Sequence, residues 1–151
     1  MSRFRYRMQN ILNIKASMET QAKNQYAAAN EKLRQEQDKL DALVLKKKGY
    51  EQHARDLLLD TLKIQEINDT NRMVLFMEEE IKKQQKEVNY AMRNVEKARD
   101  KMTEAMKERK TYERLREKAF EQFLMDEKAA ESKEIDQLTS YTYGQKIAAE
   151  D

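Results

Sequence analysis

Across 151 residues the chain contains no proline and only two glycines, Gly49 and Gly144. Proline removes a backbone donor and glycine is the residue that reverses a chain with least strain, so a sequence almost devoid of both has few places where a helix must stop. The commonest residues, Ala, Glu, Lys, Gln, Leu, Met and Arg, are the better helix formers. Long, uninterrupted helix is therefore the expected backbone. Charged residues make up 38% of the chain against 39% hydrophobic, where average globular proteins carry roughly 25% charge. That balance suits a narrow apolar seam between helices better than a thick core.

The opening stretch FRYRMQNILNIK, residues 4–15, admits three readings. Phe4, Tyr6 and Met8 alternate with Arg3, Arg5 and Arg7 as in a strand, Phe4, Met8 and Ile11 share a helix face with Met18, and a basic start before Ile11 and Leu12 resembles a signal peptide. Asn13 and Lys15 end the apolar run too early for a signal-peptide core. The alternation stops at Met8 and helical spacing follows for roughly sixty residues, so a helix starting near residue 3 with Ser2 as N-cap is expected.

Counting Tyr26 as heptad position a, the a residues are Tyr26, Leu33, Leu40, Lys47, Ala54 and Thr61, and the d residues Ala29, Glu36, Leu43, Tyr50, Leu57 and Ile64. Upstream, Phe4, Met8, Ile11, Met18 and Ala22 continue the stripe if one extra residue, a stutter, precedes Tyr26. A second track has Val74, Ile81, Val88, Val95, Met102, Arg109, Arg116 and Phe123 at a, and Met77, Ala91, Ala98, Ala105, Tyr112 and Ala119 at d. Between them lies INDTNR, residues 67–72, whose Asn68, Asp69, Thr70 and Asn71 are turn and cap residues.

An all-α fold follows, two long helices forming an antiparallel coiled-coil hairpin. Arm one is expected over about 3–66, the turn over about 67–70, arm two over about 70–138 and a short tail over 139–151. In antiparallel pairing an a residue lies level with a d residue. Leu40 with Ala98 and Leu57 with Ile81 both sum to 138, which centres the reversal on residue 69; sums of 131 or 145 satisfy the heptads equally. Each arm, ~65 residues at 1.5 Å rise, would be roughly 100 Å long. The rival turn, KKKGY at 46–50, would leave half of arm two unpartnered.

The 30 basic and 28 acidic residues are interspersed, which argues against a nucleic-acid binder, and the absence of cysteine excludes thiol chemistry and suits a reducing compartment. Charge separates toward the two ends, however. Residues 1–30 carry a net +4 and residues 126–151 a net −4, and an antiparallel hairpin brings these segments together. Two glycines 95 residues apart exclude the Gly-rich phosphate loops, and His53, the single histidine, has no second histidine for a metal pair or partners for a catalytic triad. Glu78, Glu79 and Glu80 point ~100° apart on a helix and cannot converge on one ion. No enzyme chemistry, cofactor or small-molecule substrate is expected. Met73, Met92 and Met106 flank the seam as an adaptable docking strip.

FRYRMQNILNIKASME resembles the N-terminal motif of the FliJ family of flagellar type III export proteins, through Phe4, Gln9, Ile11, Leu12, Lys15 and Glu19. MVLFMEEEI at 73–81, YERLREKAFEQF at 112–123 and KEIDQLTSY at 133–141 extend the resemblance over nearly the whole chain. One departure is the polar NDTN where relatives commonly have a Leu-containing turn. The resemblance implies a non-enzymatic cytoplasmic protein, peripheral to the inner face of the cell membrane at the flagellar base. It also implies a stalk-like coiled coil that binds the hexameric flagellar export ATPase, the cytoplasmic domain of the export gate protein and export chaperones.

By the 138 rule, Phe4, Met8 and Ile11 face Glu134, Ala130 and Glu127, so the apolar start lacks apolar cover. Exposed apolar residues ringed by arginine mark interfaces. Arg3, Phe4, Arg5, Arg7, Met8, Ile11 and Leu12 are thus expected to dock on the ATPase ring, and Met73, Phe76 and Met77 on the gate. The competing expectation for the start is that Phe123 and Ile135 shift to cover it. The competing function is a structural or membrane-surface coiled-coil adaptor unrelated to export, its basic start lying on anionic lipid.

Overall fold

The computed structural model describes residues 2–150. It is all-α: α1, Gln9–Leu57, and α2, Ile64–Glu150, are 49 and 87 residues long and pack against each other antiparallel. The pair forms two compact units, one of Met1–Glu19 with Ala105–Asp151 and one of Thr20–Glu104.

In the Thr20–Glu104 unit the two heptad faces are the buried faces. Ala22 and Leu40 of α1 and Met77, Val88, Ala91 and Val95 of α2 are buried, with Val88 only 2% exposed. Leu33, Leu43, Tyr50 and Leu57 are half-buried along the same stripe.

The reversal lies elsewhere than at residues 67–70. α1 ends at Leu57, α2 begins at Ile64, and Ile67–Arg72 lie inside α2. The last turn of α1 tightens as the Leu58 and Leu59 amides donate to the Arg55 and Asp56 carbonyls, at 3.2 and 3.1 Å. The Asp60 side chain accepts from the Thr61 amide at 2.8 Å, and the Lys63 carbonyl receives the first α2 bond, from Ile67, at 3.0 Å. Asn68, Asp69 and Asn71 sit on the solvent side of α2, at a helix-propensity cost of a few tenths of a kcal/mol each. Thr70 is buried, its hydroxyl donating to the Glu66 carbonyl at 2.8 Å. The turn thus holds three leucines, Leu58, Leu59 and Leu62, all exposed; the expected polar departure at NDTN does not exist.

Register moves with the turn. Position sums are 125 for Tyr26 with Arg99, 120 for Glu36 with Gln84 and 125 for Lys47 with Glu78 in one unit. They are 124 for Phe4 with Phe120 and 123 for Lys15 with Glu108 in the other. These scatter about 124, two heptads below 138, and also miss 131 and 145. A strict seven-residue repeat leaves register undetermined by multiples of seven, so apolar spacing alone could not choose.

Three more expectations are corrected. Residues 2–6 are non-helical and α1 begins at Gln9, so Ser2 is no N-cap. No stutter occurs, because Leu12, Glu19 and Tyr26 follow one unbroken a track; Glu19 is 4% exposed, while Met8, Ile11 and Met18 are exposed. α2 also runs through 139–150 without a separate tail.

Gly49 lies within α1, and a Cβ added there would meet nothing within 4 Å. Gly49→Ala should therefore raise stability by about 0.5–1 kcal/mol, read as a higher denaturant midpoint.

Candidate partner-binding surface

The Met1–Glu19 and Ala105–Asp151 unit carries the start of the chain. Residues 2–6 leave the helical path because three aromatic rings hold them against α2. Phe4 packs edge-on to Phe120 at 5.1 Å between centroids and tilted on Phe123 at 5.5 Å, and the Tyr6 hydroxyl donates to the Tyr112 carbonyl at 3.2 Å. Aromatic pairs of this kind contribute about 0.5–1.5 kcal/mol beyond area burial, enough to override the weak helix propensity of a terminal turn. The strand-like alternation of the first residues is therefore the true local signal. Phe4 and Tyr6 face inward, and Arg3, Arg5 and Arg7 stand exposed between and beside them.

Below this arm the seam is polar. Arg109 donates to the buried carboxylate of Glu19 and, at 2.7 Å, to Glu113. Both carboxylates hold the guanidinium pKa above its ordinary value. Lys15 donates to Glu108 at 2.8 Å, which raises the ammonium pKa.

Five of the seven residues expected to meet the ATPase ring are exposed in this unit: Arg3, Arg5, Arg7, Met8 and Ile11. Phe4 and Leu12 are turned inward, Leu12 only 8% exposed, so they brace the surface instead of presenting it. Phe123 does cover Phe4, as the competing expectation had it, whereas Ile135 stays exposed. Ile14 was missed; it joins Ile11 and Met18 at helical spacing on an exposed face beside the seam. Every α2 residue from 131 to 150 is exposed, including Ile135, Leu138, Tyr141, Tyr143 and Ile147.

The second expected surface divides. Met77 is buried in the seam of its own unit and Met73 is half-buried, while Phe76 and its neighbour Leu75 are exposed. Met77 therefore cannot be a contact residue, because the d position that made it noticeable is what buries it.

The same unit holds the most perturbed carboxylate. Glu36, at d and 5% exposed, accepts from the Gln84 amide at 2.6 Å, and Lys32 and Lys39 bridge it at 3.0 and 3.2 Å. Gln84 first, then the two lysines, lower its pKa from 4.5 to about 2. A carboxyl with a depressed folded pKa contributes stability that is present above its unfolded value and is lost as pH falls through the folded one. The stability margin of the natural chain over Glu36→Gln should accordingly shrink between about pH 4.5 and pH 2, and be constant above about pH 6 in urea titrations.

Among the described residues no helix is long and apolar enough to cross a membrane. A family model described as Flagellar FliJ protein matches residues 4–147. The Flagellar FliJ protein of Bacillus subtilis (strain 168) is 27% identical over 136 residues, covering 90% of this chain and 92% of the relative. The solved structure of CT670 from Chlamydia trachomatis, described as a YscO homolog, superposes with a TM-score of 0.75. It shares 22% identity, over 93% of this chain and 96% of that one, and so agrees in fold.

Proposed function

Since this chain belongs to the FliJ family, and is thereby a component of flagellar type III protein export, we infer that it serves there without catalysis, as a stalk-like coiled coil docked on the hexameric export ATPase. The observation that supports this reading is the exposed basic and apolar surface of Arg3, Arg5, Arg7, Met8 and Ile11, stapled in place by Phe4. Arginine pairs with carboxylates while Met and Ile fill pockets, the composition that carries binding energy at interfaces. Phe76, with Met73 half-buried beside it, is the contact for the cytoplasmic domain of the export gate protein, and the exposed helical faces serve export chaperones. The protein acts in the cytoplasm, at the inner face of the membrane at the flagellar base.

The test is affinity for the purified ATPase hexamer. Reversing Arg3, Arg5 and Arg7 to Glu, together with Ile11→Ala, should weaken binding at least tenfold while helix content and melting stay within error, since none of the four is buried. Phe4→Ala is a poorer probe, because it frees the whole arm. Unchanged affinity in the quadruple variant would remove the surface from consideration. The alternative reading, a membrane-surface adaptor, is favoured by the shared exposure of the three arginines. Its discriminating result is loss of binding to vesicles of anionic phospholipid in the same variant with ATPase affinity intact.

A further inference from the structure

The Thr20–Glu104 unit contains two segments able to reverse the chain. The observed one is Leu58–Lys63; the other is Asn68–Asn71, rich in turn residues yet helical here. The apolar heptads serve both reversals: Leu33 lies level with Ala91 when sums are near 124, with Ala98 at 131, and Leu40 with Ala98 at 138. What separates these registers is polar. Glu36 is buried at d, and Gln84, one turn before Val88, donates both to its carboxylate at 2.6 Å and to its backbone carbonyl at 2.9 Å. Lys32 and Lys39 complete the shell from the same helix. At sums of 131 and 138 Glu36 would lie level with Val95 or Met102, and Gln84 with Lys47 or Ala54. Each heptad of slip carries the amide about 10.5 Å from the carboxylate and leaves a buried charge without its cross-helix donor.

We propose that the Glu36–Gln84 layer is a register lock, which holds the reversal on the Leu58–Lys63 segment and excludes the heptad-shifted pairings that would move it toward Asn68–Asn71. A single polar residue in an otherwise apolar seam specifies alignment in this way in coiled coils. The lock is transferable, because its surroundings repeat. Position 43 has Lys39 four residues before it and Lys46 three after, the spacing that Lys32 and Lys39 have about Glu36. A carboxylate at 43 would meet Gln84 in the register one heptad higher.

The natural chain has no cysteine, so register can be read by oxidation of introduced pairs within one full-length chain. A heptad of slip, about 10.5 Å, exceeds the reach of a disulfide. Leu33→Cys with Ala91→Cys reports the observed register, Leu33→Cys with Ala98→Cys the next, and Leu40→Cys with Ala98→Cys the one after. In the otherwise natural sequence only the first pair should link. E36L/Q84L, which makes the layer apolar, should keep its helix content and link at least one shifted pair at a yield comparable to the first. E36L/L43E should move the majority of linkage to Leu33→Cys with Ala98→Cys. Exclusive linkage of the first pair in both helical variants overturns the proposal, as does shifted linkage in the natural background. If E36L/Q84L loses helix content, Glu36→Ala read with the same pairs decides in the same way.

Discussion

Val88→Asp should unfold the Thr20–Glu104 unit's helix pairing at a denaturant concentration well below that of the natural chain, a loss of at least about 3 kcal/mol. Val88 is the least exposed of the buried residues of the seam, at 2%, and it lies one turn from Gln84, whose amide is already committed to Glu36. A carboxylate at 88 would be a buried charge, and the cations of the Glu36 layer, Lys32 and Lys39, are already committed to Glu36. Native stabilities are only about 5–15 kcal/mol in total, so a change of this size is visible as lost helix signal at ambient temperature or as a midpoint shift. A near-natural midpoint would mean that the seam opens to water at Val88.

The second large effect separates seam from surface on one helix. Leu40→Ala removes a side chain that is 8% exposed, whereas Leu45→Ala trims one that is 71% exposed. The first should cost about 2–5 kcal/mol through lost burial and a residual cavity, roughly 5–15 °C in melting temperature for a chain of this size. The second should stay within about 0.5 kcal/mol. Equal effects would refute the assigned seam.

The apolar half of the fold was legible because Leu33, Leu40, Val88 and Val95 recur at the heptad spacing, and a repeat of that kind identifies a face whatever its partner. It could not identify the level of the partner. Glu19 and Glu36 hold that information, yet each looks like a defect in the stripe until Arg109 or Gln84, 90 and 48 residues away, is seen beside it. Placing Met18 in the stripe instead of its neighbour Glu19 is what produced the false stutter. At the reversal, Asn68–Asn71 offered four consecutive turn residues while Leu58–Lys63 has only Asp60 and Thr61 among three leucines, and exposed leucines are hard to recognise as a turn. Arg55 in the last turn of α1 and Glu66 in the first of α2 match the charge preference of helix ends and were the available signal. At the chain start the alternation of Phe4 and Tyr6 with arginines was visible, but its partners, Phe120, Phe123 and Tyr112, supply no strand, and only a strand would have made alternation persuasive.

The pairing of low with high residue numbers also orders how this chain assembles. Lys47 meets Glu78 across 31 positions and Glu36 meets Gln84 across 48, whereas Lys15 finds Glu108 across 93 and Tyr6 finds Tyr112 across 106. Closing a longer loop costs more chain entropy, though each doubling adds only about 0.6 kcal/mol. The larger gain comes from sequence: once contacts beside Leu58–Lys63 form, each later pair closes a short increment instead of the whole loop. Folding should then run outward from the reversal, with residues 2–19 docking last. Within the paired region hydrogen exchange should show the reverse order, with the amides of the first α1 turns opening before those beside the reversal and only the fully exposed 131–150 end of α2 opening more readily, so the arginine-bearing arm belongs to the part of the helix pair most readily released and re-formed.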